Sequence, residues 1–130
     1  MPNSYWPLKV NGAMRQLGFD PDANISAQIT QTGSARIGDA LEFDVVLNAH
    51  RDQPVLVDYI IHFLRPGGKV SAKVHKLKQG EIRDGQLVLR KRHKLKGNAT
   101  TFQLVPGEHL LEVQVNGRVR GALGFTLLPK

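Results

Sequence analysis

The sequence predicts an all-β, immunoglobulin-like antiparallel β-sandwich, and three observations carry that prediction. From Ile25 onward apolar residues recur at every second position. Gly, Pro and Asn turn signals interrupt them roughly every 8–15 residues. No amphipathic helix lies between the strand segments. Strands joined by tight turns pair antiparallel, because a parallel pair needs a long crossover. Two such sheets then stack to bury their apolar faces.

The first two dozen residues follow a different grammar. Pro7 can open a helix, and Leu8, Val10, Met14 and Leu17 have approximate helical spacing before Gly18 stops it. Asn11-Gly12 interrupts the pattern, so the helix is short or starts late. Asp20-Pro21-Asp22 reads as a turn or linker. Residues 1–24 are therefore expected as a tail and linker, and residues 25–130 as the sandwich domain.

Within that domain the first predicted strand is 25–30, ended by Gln31-Thr32-Gly33-Ser34. Segment 41–47 places Leu41, Phe43, Val45 and Leu47 on one face, and 55–64, after Pro54, is the most apolar stretch. Pro66-Gly67-Gly68 turns the chain into a polar strand over 70–77. Strands 86–95 and 108–115 follow, the second after Pro106-Gly107. Asn116-Gly117 is the two-residue hairpin signal, since both positions favour positive φ, and 118–128 closes the fold. About seven strands result. Their alternation nominates Phe43, Val45, Leu47, Val57, Tyr59, Ile61, Phe63, Leu87, Leu89, Leu111, Val113, Val115, Leu123 and Phe125 as the core.

Composition narrows the function classes. A chain of 130 residues fits one domain. The absence of cysteine removes disulfides, thiolate metal sites and a Cys nucleophile, and leans toward a reducing compartment. No apolar run reaches the ~18 residues a membrane helix needs. The amino terminus lacks a basic start followed by an apolar stretch, so no secretory signal is read. A cytoplasmic location without membrane contact is the expectation. Charge is uneven: residues 1–64 carry four Lys/Arg against seven Asp/Glu (−3), residues 65–130 fourteen against four (+10), which sum to +7. Such a field attracts phosphate or acidic partners.

Catalysis would need a nucleophile beside a base, or paired carboxylates in a cleft. Asp58 and His62 share one face of a strand but lie roughly 13 Å apart, which excludes a dyad. Asp58 is expected to accept hydrogen bonds from a backbone or a neighbouring strand. The histidines His50, His62, His75, His93 and His109 lack zinc-ligand spacing, though His62 and His75 on adjacent strands could converge. His109, after the Pro-Gly turn, is expected to tie that turn. No glycine loop leads from a strand into a helix as a nucleotide cradle requires. No catalytic residue, metal or cofactor is assigned, and the chain is not expected to be an enzyme.

Two features remain. Arg90, Arg92, Lys94 and Lys96 alternate on one face of a strand, opposite Leu87, Leu89 and Leu95, with Lys91 and His93 breaking the inner face. With Lys73 they form a candidate phosphate-contacting surface for duplex DNA. The same row also reads as a solvated face whose lysines discourage edge pairing. Secondly, strand 55–64 is apolar on both faces. Its second face, Leu56, Ile60 and Leu64 with Asp58 and His62 between them, should be covered by the tail, another domain or a second copy of the chain.

The segments Val57-Asp58-Tyr59 through His62-Phe63, Lys73-Val74-His75-Lys76-Leu77, Thr100-Thr101, Pro106-Gly107-Glu108-His109 and Val115-Asn116-Gly117 stand in the order V-D-Y-x-[IV]-H-F, K-V-[FH]-K-L, T-T-R, P-G-x-H, V-N-G. Over about residues 15–128 this series resembles the C-terminal immunoglobulin-like β-sandwich of bacterial DNA alkylation repair proteins with HEAT-type helical repeats. Phe102 replaces the Arg that follows the Thr pair, and Val105 an aromatic before Pro-Gly. The resemblance implies an accessory domain that docks on a helical-repeat DNA-repair domain, in the same or another chain. The glycosylase chemistry of such proteins lies in the repeats, so no catalytic residue carries over. The competing reading is a protein-interaction or homodimerising sandwich, using Leu56, Ile60 and Leu64, with no nucleic-acid role.

Overall fold

The computed structural model describes residues 8–64, 70–96 and 104–130, with the side chains of residues 8–11 and 64 left aside. One helix, α1 (Leu8–Gln16), precedes β1 (Ile25–Gln31), β2 (Ala35–Arg36), β3 (Ala40–Ala49), β4 (Gln53–Leu64), β5 (Val70–Ile82), β6 (Gln86–Lys94), β7 (Gly107–Val115) and β8 (Arg118–Leu128) among these residues. The strands form a three-stranded sheet, β1-β3-β6, and a five-stranded sheet, β2-β8-β7-β4-β5. Every pairing between neighbours is antiparallel except β2 with β8. The predicted β-sandwich with a short helical start is the observed one. No helix among the described residues is long and apolar enough to cross a membrane.

The core lies between the sheets. Leu41, Phe43, Val45 and Leu47 from β3 meet Val57, Tyr59 and Ile61 from β4, and Leu111, Val113 and Val115 from β7, all at 2 % exposure or less. Each such side chain contributes roughly 1.5–3 kcal/mol by leaving water. Leu87 and Leu89 are only partly buried, because β6 is an edge strand, and Leu123 is half-buried on β8. Val55, Ile82, Leu95 and Leu127 extend the core beyond the alternating set.

Among the described residues eight strands stand where about seven were expected. The addition, β2, has two residues and pairs with Leu127 and Leu128 of β8, a tertiary contact that local alternation cannot announce. Strand β5 runs on from Leu77 to Ile82 because its pairing with β4 continues to Gln53, whatever the polarity of its side chains. Asn116 and Gly117 do adopt positive φ (53° and 85°) in the expected hairpin. Asp84-Gly85, with φ of 55° and 78°, makes a second turn of that kind between β5 and β6.

Helix α1 ends in a Schellman motif: the Gly18 N–H donates to Arg15 O (3.0 Å) and Phe19 N–H to Met14 O (2.8 Å), with Gly18 at φ 90°. The linker beyond it is tied to the sandwich. A bulge in the β7–β8 pairing leaves Arg120 as the extra residue, and its Nη2 donates to Pro21 O (2.7 Å) and Ala23 O (2.9 Å). Arg118 pairs with Asp22 at 2.8 Å. Nearby, β1 crosses β8 so closely that a Cβ on Gly121 would lie 2.8 Å from Ala27 O. That contact closes one side of the sandwich. On the opposite side the edge strands β5 and β6 face each other.

Candidate nucleic-acid interface

Register fixes the basic row. In β6, Leu87 and Leu89 point inward with Val45 and Leu47, so Arg90, Arg92 and Lys94 stand exposed on the outer face, with exposed Lys96 just beyond. The same register lines up acids from the neighbouring β3. Asp44 lies opposite Arg90 and Glu42 opposite Arg92. Arg90 Nε donates to Asp44 Oδ1 at 2.8 Å, and that bond raises the guanidinium pKa further. Arg92 Nη2 donates to Asp39 Oδ1 at 3.2 Å, and its Nε is 3.7 Å from Glu42 Oε1. Four cations against three carboxylates leave the face at about +1 (4 − 3). Among the described residues Lys94 and Lys96 form no ion pair, and they border a shallow depression with Gly38 and Asp39.

Lys73 does not join this row. It lies on the inner-facing side of β5, opposite Ile61, and reaches water only because β5 is an edge. Its neighbours are of another kind. His75, opposite Tyr59, stacks on the Tyr59 ring at 5.0 Å, and from the facing sheet His93 approaches His75 at 4.8 Å. The Tyr59 hydroxyl is hydrogen-bonded to His93 Nδ1 at 2.8 Å, while Phe43 packs edge-on against Tyr59 at 5.3 Å.

Burial drives the ionisation of this cluster. It pushes the Tyr59 phenol up to about 12 and, aided by the positive charges of His75, Lys91 and Lys73, pulls His93 down to about 4. His75 is lowered too, by burial and then by Lys73 and Lys91. An unfolded His93 titrates near 6.5, so between pH 6.5 and about 4 the unfolded chain binds more protons. The contribution of His93 is therefore complete above that window and is lost as pH falls through it. Allowing for solvent screening of a part-exposed ring, the loss should be about 2 kcal/mol. Urea unfolding at pH 7 and pH 4 should show a shallower pH slope for His93→Gln than for the parent; equal slopes would exclude the effect.

His62 and His75 do not converge: His62 lies on the outer face, where its Nε2 donates to Glu112 Oε1 at 2.5 Å. The convergence is His75 with His93, across the two sheets. His109 does tie its turn, with Nε2 2.7 Å from Val105 O. Asp58 is 5 % exposed, and burial raises its pKa against the pull of Lys76. The expected hydrogen bond to its carboxylate is not found among the described residues. On the same outer face Ile60 is fully buried within the chain and Leu56 half-buried, while the Leu64 side chain lies outside the described residues. Among the described residues no three His, Asp or Glu side chains gather as metal ligands. Thr100, Thr101 and Phe102 of the family-like series also lie outside the described residues.

Residues 24–129 match the family described as "Uncharacterised protein YhaZ, C-terminal Ig-like domain". YhaZ of Bacillus subtilis (strain 168) is 34% identical over 89 residues, which is 68% of this chain and 25% of that protein. Among solved structures, the Pseudomonas fluorescens alkylpurine DNA glycosylase AlkC, bound to DNA containing an abasic site analog, matches with a TM-score of 0.77 and 27% identity. That match covers 90% of this chain and 34% of AlkC. A Listeria innocua beta-glucosidase shares the fold alone, at a TM-score of 0.60 and 10% identity over 84% of this chain and 16% of that one. This chain thus spans about a quarter of YhaZ and a third of AlkC. The resemblance to the sandwich of DNA alkylation repair proteins is borne out, and the chain belongs to the family of YhaZ C-terminal immunoglobulin-like domains.

Proposed function

We propose that this sandwich is a non-catalytic accessory domain of a DNA alkylation repair-like protein. It docks on a helical-repeat domain and contacts DNA phosphates through the outer face of β6. The single observation that carries the DNA half is the exposed row Arg90, Arg92, Lys94 and Lys96 on a fold like that of DNA-bound AlkC. Because Asp44, Asp39 and Glu42 engage the two arginines, Lys94 and Lys96 carry most of the free charge. The contact is a positioning one, blind to base sequence, and modest in strength.

Fluorescence anisotropy on a labelled duplex at low and moderate salt tests this. Charge reversal of Arg90, Arg92 and Lys94 to Glu should weaken binding about tenfold at low salt and lower the salt slope by about 2. No binding by the parent chain at low salt would remove the nucleic-acid half. The docking half draws on the outer face of the five-stranded sheet, where Val70 and Leu110 remain exposed beside the buried Ile60. A homodimer in sedimentation, broken by Leu110→Asp, would favour the protein-interaction reading instead.

A further inference from the structure

The seam between β5 and β6 has no role in that reading of the outer face of β6. We propose that Lys73 and His75 on β5, with Lys91 and His93 on β6, form a binding site for a phosphate-type oxyanion at the open side of the sandwich.

All four positions face inward by register. Lys73 and His75 lie opposite Ile61 and Tyr59, while Lys91 and His93 lie opposite Phe43 and Leu41. A sandwich ordinarily fills such positions with apolar side chains, and four nitrogen bases there cost stability unless something complements them. Among the described residues nothing does so by charge. Among them Tyr59 on β4 is the other titratable group whose ring packs against the imidazoles, and β3 presents Leu41 and Phe43. Among the described residues neither Lys73 nor Lys91 forms an ion pair. The charges bearing on His75 and His93 are all positive.

The geometry is nevertheless held. Tyr59 is 2 % exposed, fixes His93 through Nδ1 and carries His75 on its ring face. Nδ1 of His93 is engaged by the Tyr59 hydroxyl, and Nε2 is the ring's second hydrogen-bonding atom. Two ammonium groups and two imidazoles in one seam suit an acceptor with several oxygens and negative charge. A metal ion would use the same imidazoles, but two lysines repel it. A bound oxyanion supplies the missing negative charge, so it favours the protonated forms of His75 and His93 and raises their titration midpoints.

The probes are inorganic phosphate and a thymidine dinucleotide, which separate a free phosphate from a phosphodiester. Each is titrated into the full chain while the imidazole Cε1–H resonances are followed by NMR, against chloride at matched ionic strength. Either probe should shift the His75 and His93 signals selectively and raise their titration midpoints. Lys73→Ala and Lys91→Ala should each weaken the effect about fivefold. Shifts no larger than those from chloride, or shifts unaltered in the double lysine variant, would overturn the site. Because Arg90, Arg92 and Lys94 take no part, their Glu variant should retain the phosphate response even where duplex binding is lost.

Discussion

Ile60→Asp should leave this chain without a cooperative unfolding transition at 25 °C. Ile60 is fully buried at the middle of the five-stranded sheet, with Val74 and Glu112 as its register partners. Removing the isoleucine forfeits roughly 2–3 kcal/mol of burial. The new carboxylate must then be desolvated two residues from Asp58, whose own carboxyl is already raised by burial, and opposite Glu112. Together these exceed about 5 kcal/mol, against a total stability of about 5–15 kcal/mol for an ordinary domain. Circular dichroism and urea titration check it, with Leu110→Asp, at a 37 % exposed position, as the folded comparison. The outcome also bears on docking. If the middle of this face, at Ile60, were open for a partner, Ile60→Asp would fold and alter only association; a folded, monomeric variant would contradict the burial found there.

The behaviour of Ile60 illustrates what alternation does and does not encode. That both faces of β4 are apolar is legible in the sequence, and so is the need for cover; what supplies the cover is a tertiary fact. The same division runs through the site. Arg90, Arg92 and Lys94 announce themselves by period two, but their partners Asp44, Glu42 and Asp39 lie 46–53 residues earlier and meet them through the β3–β6 register. A row that looks like +4 in the sequence is close to +1 in the fold. Lys91 and His93 are visible only as a fault in an apolar face. Their meaning depends on which strand of the other sheet they oppose, and no local pattern specifies packing between sheets. Turn chemistry, by contrast, is local, and for that reason Asn116-Gly117 is readable at sight.

Asn116 does more than turn the chain, and Asn116→Ala should destabilise the domain by about 3–4 kcal/mol. The side chain is fully buried. Its Oδ1 accepts from the Leu56 N–H at 2.9 Å, and its Nδ2 donates to Asp20 O at 2.8 Å, across 60 and 96 residues of sequence. Alanine strands both backbone groups, at about 1–1.5 kcal/mol each where water is partly excluded. It also places a Cβ-bearing residue without a compensating local bond at φ 53°, for about 1 kcal/mol more. Asn116→Gly separates these contributions, since it tolerates the left-handed backbone and loses only the two hydrogen bonds. It should therefore fall about 1 kcal/mol above Ala in urea unfolding. If both variants stay within about 0.5 kcal/mol of the parent, the side-chain bridge carries no weight. In the glycine variant hydrogen exchange should rise first at residues 19–24. The linker is held there by Asn116 and Arg120, whereas β4 keeps its pairings with β5 and β7.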